Sequence, residues 1–226
     1  MPTKIEWCDE VINPLGWGCW GPRGTPQDPR RCSYCYAYRM ARRKIRKCPN
    51  CQSFVPHWHP EQLEKPLHWK KPRLIFVQSM GDLLGEWVDS KLIEQVIATT
   101  QLAYQHTYLF LTKNPQRYSD FSFPKNAWLG ASCIWGERVD IWLRRSRHMG
   151  IKFISFEPLL SDVSKIISLE GIDLAIIGGL SGSKPFYPPE EWIQKIEQMA
   201  DKAGIPVFEK NNLRKVWRSI PRQEMP

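Results

Sequence analysis

From residue 72 onward the chain alternates two hydrophobic rhythms. Short runs of β-branched and aromatic residues, RLIFVQS (73–79), HTYLFLT (106–112), AWLGASC (127–133), IKFISFE (151–157), DLAIIGG (173–179) and IPVFEK (205–210), read as strands. Between them, residues 90–105, 138–150 and 189–204 carry apolar side chains at helical spacing. Gly150 and Gly204 stand where helices stop, and Pro189 with Glu190 and Glu191 suits a first helical turn. Apolar strands alternating with helices imply a parallel sheet covered by helices. With a seventh strand near EVINP (10–14), the pattern predicts an α/β fold. The expectation is one domain over residues 1–226, a partial (β/α) barrel of six to seven parallel strands, TIM-barrel-like. No G-x-G-x-x-G follows the strand at 73–79 and no G-x-x-x-x-G-K-[ST] occurs, so neither nucleotide-binding fingerprint marks that first strand–helix unit.

The C-terminal tips of these strands read QSMGD, LTK, GAS, FEP, GGLSG and FEK. A parallel α/β barrel builds its site from such tips. That makes Ser79, Asp82, Thr112, Lys113, Ser132, Glu157, Gly178, Gly179, Ser181 and Lys210 candidate site residues. The plainer alternative is that the Asp, Ser and Gly residues cap the helices that follow. Glu157 and Lys113 are harder to explain that way, because a charge directly after an apolar strand must be paired, solvated or used.

Composition changes this picture in two respects. The net charge is +9, and the basic residues cluster: Arg39, Arg42, Arg43, Lys44, Arg46 and Lys47, then Lys70, Lys71 and Arg73, then Arg144, Arg145 and Arg147. Three clusters make nucleic acid or another polyanion a plausible partner. No apolar leader opens the chain and no apolar run is long enough to cross a bilayer, so a cytoplasmic protein without membrane attachment is expected. In that compartment seven cysteines are better explained by metal than by disulfides.

The cysteines allow more than one partition. Cys32, Cys35, Cys48 and Cys51 form C-x2-C-x12-C-x2-C, a strong zinc spacing. Cys48 and Cys51 also precede His57 and His59 as C-x2-C-x5-H-x-H, a second way to complete a zinc site. In the other partition, Cys19, Cys32 and Cys35 hold three irons of a 4Fe–4S cube and leave the fourth open, with Tyr34 packing beside them. Spacing does not choose between them. Cys8 and Cys133 read as plain buried thiols.

The segment WCDEVINPLGWGC…RRCSYCYAYRMARR resembles the opening of a phage-associated three-cysteine-motif family that is itself radical-SAM-like. The likeness continues in order through residues 59–84, LFLTKNPQRY, AWLGASC, FISFEPLLSDV, IDLAIIGGLSG and AGIPVFEK. It implies a small radical S-adenosylmethionine enzyme with a 4Fe–4S cluster on Cys19, Cys32 and Cys35, in the loop after the first strand. The open iron would bind S-adenosylmethionine, and an electron from a donor such as flavodoxin or ferredoxin would release a 5′-deoxyadenosyl radical. Ser79 and Asp82 would then meet the cofactor's amino group. Ser132, Glu157 and the Gly178–Gly179 turn would meet its ribose and carboxylate, with Thr112 and Ser181 beside them. Glu157, Lys113 and Lys210 are the candidate catalytic residues, the two lysines facing substrate. The basic stretch 36–60 reads as an insert that binds zinc through Cys48, Cys51, His57 and His59. The rival is a zinc-ribbon nucleic-acid-binding protein using Cys32, Cys35, Cys48 and Cys51.

Overall fold

The computed structural model describes residues 5–182, 184–216 and 220–226. It is an α/β protein whose contacts group it into two compact units, Met1–Trp128 and Leu129–Pro226.

In the first unit β1 (Glu10–Ile12) leads into a long loop carrying three short helices, α1 (Tyr36–Ala41), α2 (Pro49–Ser53) and α3 (Glu61–His68). Then come β2 (Leu74–Val77), α4 (Ser90–Leu102) and β3 (Thr107–Thr112). The strands pair in parallel in chain order, Val11 opposite Phe76 and Phe76 opposite Leu109. Parallel neighbours need a crossover, and α4 supplies it between β2 and β3. Its N-cap Asp89 accepts a hydrogen bond from the Lys91 amide at 2.9 Å, and it buries Ile93, Val96, Ile97 and Thr100 along one stripe.

The chain passes into the second unit through β4 (Ala127–Ser132), followed by α5 (Val139–Arg145), β5 (Lys152–Phe156), β6 (Leu174–Ile177), α6 (Glu190–Ala203) and β7 (Val207–Glu209). Here too consecutive strands pair in parallel, Ala131 opposite Ile154, Ile154 opposite Ala175 and Ala175 opposite Val207. All four residues of β6 are buried, as expected of a parallel strand covered on both faces. Helix α6 begins with Glu190 and Glu191 and ends on Gly204 at φ 67°, whose amide bonds back to the Ala200 and Asp201 carbonyls. That left-handed cap is the conformation glycine adopts without penalty.

Two expectations change. The helix expected over 138–150 stops at Arg145, because the Ser146 hydroxyl donates to the Leu143 carbonyl at 2.7 Å and Arg147 turns to φ 34°. The segment 36–60, read as a basic insert, carries two short helices of six and five residues, and the eight-residue α3 follows it directly.

Candidate functional site

β1 delivers the chain to Asn13, whose side-chain oxygen accepts the Met80 amide at 2.9 Å and the Ser79 hydroxyl at 3.4 Å. Gln78, buried and held at φ 64°, reaches back with both ends of its amide. Its oxygen accepts the Leu15 amide and its nitrogen donates to the Gly16 carbonyl, each at 2.9 Å. A non-glycine residue in the left-handed region is uncommon and marks a place the surroundings over-determine. The Gly18 amide adds a 3.1 Å bond to the Met80 carbonyl, and a Cβ on Gly81 would lie 2.4 Å from the Gly18 carbonyl oxygen. The loop after β1 is thus latched to the tip of β2. Asn13 and Gln78 were not among the sequence candidates, although Gln78 opens the QSMGD tip.

Gly16, Gly18 and Gly21 have dinucleotide-fingerprint spacing directly after β1, yet no helix follows them to meet a phosphate. They serve close packing instead. A Cβ on Gly18 would lie 2.3 Å from the Pro56 nitrogen, and one on Gly21 2.0 Å from the Arg30 carbonyl oxygen.

The twelve residues between Cys19 and Cys32 fold back on themselves. The Arg30 amide donates to the Trp20 carbonyl at 2.7 Å and the Thr25 amide to the Asp28 carbonyl at 3.0 Å. Arg31 then donates to the Cys19 carbonyl at 3.3 Å, with its guanidinium 5.4 Å from the Trp20 ring centre and 5.3 Å from that of Tyr38. Cys35 caps α1, its sulfur accepting the Tyr38 amide at 3.3 Å, and Tyr34 sits partly buried in the turn before it. The Tyr36 hydroxyl donates to the Ser79 carbonyl.

The electrostatics tie these thiols to the strand tips. Burial pushes the Cys19 thiol up to about 12, the Asp82 carboxylate adds to the rise, and the Gly21 amide and the Lys113 ammonium oppose it. Burial also raises Cys35, with Cys32 adding to the rise and Lys113 opposing it. Asp82 itself is buried and fully engaged. It accepts the Thr112 hydroxyl at 2.7 Å, the Lys113 amide at 3.0 Å and the Leu84 amide at 3.1 Å. Of the sequence candidates in this unit, Asp82, Thr112 and Lys113 therefore form one network at the tips of β2 and β3, while Ser79 is hydrogen-bonded to Asn13 and Tyr36.

In the second unit Glu157, after β5, pairs with Lys210, after β7. A Cβ on Gly178 would lie 3.0 Å from Lys210 Cδ and 3.2 Å from Glu157 Cγ, so this glycine leaves room for the pair. Asn212 is another residue the sequence did not single out. It accepts the Gly179 amide at 3.1 Å and donates to the Gly179 carbonyl at 2.7 Å and the Ser181 hydroxyl at 3.0 Å. Ser132, at the end of β4, is buried.

A second constellation lies in the first unit. The ligand atoms of Cys48, Cys51, His57 and His59 all fall within 4.8 Å of one another, an arrangement that can hold a metal ion. Cys32 and Cys35 are not in it. Cys48 stands at the N-cap position of α2, and its thiol is lowered to about 6, chiefly by the Cys51 backbone amide in that helix. Cys51 is raised by its burial. With the Cys48 thiol lowered and the Cys19 thiol raised, Cys48 is expected to be the more thiolate-rich of the two in the metal-free chain at pH 7.5. Iodoacetamide followed by peptide mass mapping is expected to label Cys48 first and Cys19 among the last. Labelling of Cys19 ahead of Cys48 would contradict this ordering.

A family model described as "Protein of unknown function (DUF5131)" matches residues 2–218, nearly the whole chain. No curated protein and no solved structure matches it.

Proposed function

We propose that this chain, which belongs to the DUF5131 family of proteins of unknown function, is a radical S-adenosylmethionine-like iron–sulfur enzyme built on a partial barrel. The carrying observation is the closure of the twelve-residue gap by the Arg30–Trp20 bond, which makes Cys19, Cys32 and Cys35 part of one folded loop after β1. The donor set suits a 4Fe–4S cluster: Cys19, Cys32 and Cys35 are free thiols, and Cys35 acts electrostatically on Cys19 as Cys32 does on Cys35. Lys113, whose charge acts on both Cys19 and Cys35, would offset the negative charge of the ligated thiolates. The cluster and S-adenosylmethionine, when bound, supply one-electron reductive cleavage of the sulfonium bond.

The chain's own residues bind and orient. Asp82 fixes the Thr112–Lys113 turn, so the Lys113 ammonium is offered from a defined backbone position. Ser79, tied to Asn13, offers its hydroxyl at the tip of β2 for the cofactor's amino group. Glu157, Lys210, Gly178, Gly179, Ser181 and Ser132 line the strand tips of the second unit, where Glu157 is suited to a ribose and Lys210 to an anionic substrate group. The exposed run from Arg42 to Lys47, directly after α1, makes nucleic acid the substrate class to try first. A reducing compartment such as the cytoplasm, with a flavodoxin- or ferredoxin-like donor, completes the reading.

The test is anaerobic reconstitution. Near four irons and four sulfides per chain, roughly the content of one such cluster, and a reduced-state EPR signal that shifts on adding S-adenosylmethionine are expected. Zinc without iron would overturn the enzyme reading in favour of a zinc-stapled nucleic-acid binder. Oligonucleotide affinity measured on the same preparation should fall by at least about tenfold between 50 and 200 mM salt. Unchanged affinity would remove nucleic acid as the partner.

A further inference from the structure

At the second cysteine pair the neighbours of the two histidines set where their protons lie. His57 Nδ1 lies 2.8 Å from the Val55 carbonyl oxygen and His59 Nδ1 lies 2.6 Å from a Glu61 carboxylate oxygen. Both partners only accept, so each imidazole carries a proton on Nδ1, and in its neutral form turns a lone pair outward at Nε2. Those two Nε2 atoms face each other at 2.6 Å. Two lone pairs at that distance repel unless a positive charge lies between or beside them. Around the same point stand Cys48 Sγ, 3.1 Å from His57 Nε2, and Cys51 Sγ, 3.7 Å from His57 Nε2 and 3.6 Å from His59 Nε2. Zinc with two sulfur and two nitrogen ligands in a tetrahedron sets sulfur–nitrogen edges of about 3.5 Å. The sulfur–nitrogen distances bracket that value, and the histidines would part by under about 1 Å to admit the ion. Metal-bound histidines ordinarily donate their other N–H to a carbonyl or a carboxylate, and here one does each.

We propose that Cys48, Cys51, His57 and His59 hold a zinc ion, and that this ion is a clasp for the loop bearing Cys19. Four protein ligands leave no open position, so the site is structural rather than catalytic. What it holds can be read from its contacts. The His57 amide donates to the Leu15 carbonyl at 3.3 Å and the His59 amide to the Pro14 carbonyl at 2.7 Å. The Trp17 amide donates to Cys51 Sγ at 3.4 Å. Gly16, at φ 60°, lies against both rings, where a Cβ would meet His57 Cε1 at 2.6 Å and His59 Cδ2 at 2.8 Å. Residues 14–18 are therefore bound to the ligands on one side and to Gln78 and Met80 on the other. Cys19 follows at once, and Cys19, Cys35 and Cys48 pack on the same small core of Trp17, Cys51, Phe54 and Met80. Zinc at this point would fix where the three-cysteine loop begins.

The experiment is metal analysis of the full chain, with tryptic digestion of the zinc-loaded and zinc-stripped protein. About one zinc per chain is expected, falling below roughly a tenth of that in Cys51→Ser and in His57→Ala and staying at the parent level in Cys19→Ser. Cobalt replacement in the unmutated protein should give the visible absorption of a tetrahedral site with thiolate ligands, a readout that survives if a variant fails to fold. Removing zinc should speed cleavage after Arg23, Arg30 and Arg31 by about tenfold or more, because the loop loses its tether. Zinc retained in both ligand variants, a six-coordinate cobalt spectrum, or unchanged cleavage of this loop would each overturn the proposal. Zinc content is read independently of iron, so the clasp can stand where the iron–sulfur reading fails, and the reverse.

Discussion

Cys19→Ala is expected to lower reconstituted iron from about four to below about one per chain, because two thiolates alone do not hold a cluster of this type. Zinc should be unchanged, since Cys19 is not among the four converging ligands. Folding should survive. The substitution removes a sulfur that accepts the Gly21 amide at 3.1 Å, a contact worth about 1 kcal/mol. The Trp20–Arg30 and Cys19–Arg31 backbone anchors do not depend on the thiol. Iron and sulfide analysis beside a thermal melt checks both halves. Full iron loading in the variant would move the cluster off Cys19 and leave the proposed enzyme without its defining site. Cys19 is partly buried and its thiol is raised to about 12, so cluster loading is expected to displace a tightly held proton.

The second large effect is expected at Asp82. Replacing it with alanine leaves the Thr112 hydroxyl and the Lys113 and Leu84 amides without their acceptor in a buried place. Unsatisfied buried donors cost about 1–3 kcal/mol each before relaxation, so a loss of about 3 kcal/mol is expected. For a chain of this size that lowers Tm by roughly 6–12 °C. Asp82→Asn should fall between parent and alanine, because one amide oxygen can still accept. A melt of Asp82→Ala within about 2 °C of the parent would show that the network does not hold the β3 tip. Asp82 would then be better explained as a group kept for the cofactor's amino group.

These expectations separate what can be read along the chain from what cannot. The strands were legible because parallel strands buried on both faces must be nearly continuous in apolar residues. LIFV, TYLFLT, KFISF and LAII have no other reading, and the observed strands fall inside the expected ones. Helix α6 was legible from its caps and its one apolar stripe. Helices α1, α2 and α3 were not, because five to eight residues, with Pro66 inside α3, hold too few turns for a period to show.

The candidate residues were legible as types and places. Asp82, Thr112 and Lys113 stand at strand tips where the pattern put them, and Glu157 and Lys210 each follow an apolar run. Their partners were not legible. Glu157 meets Lys210 across 53 residues, and Gln78 meets Leu15 across 63. No local pattern records which distant backbone a side chain will meet. The cysteines make the same point most sharply. By spacing alone Cys48 and Cys51 suit Cys32 and Cys35 as well as His57 and His59. The αL turn at Phe54, the Val55 and Glu61 acceptors behind the two rings, and the fit of Gly16 against them bring the histidines in. The sequence alone determined that the segment 19–59 was rich enough in thiol and imidazole to bind metal. Which of those groups meet was decided only by the tertiary structure, because ligation depends on where side chains converge in space, and that convergence is set by contacts far apart along the chain.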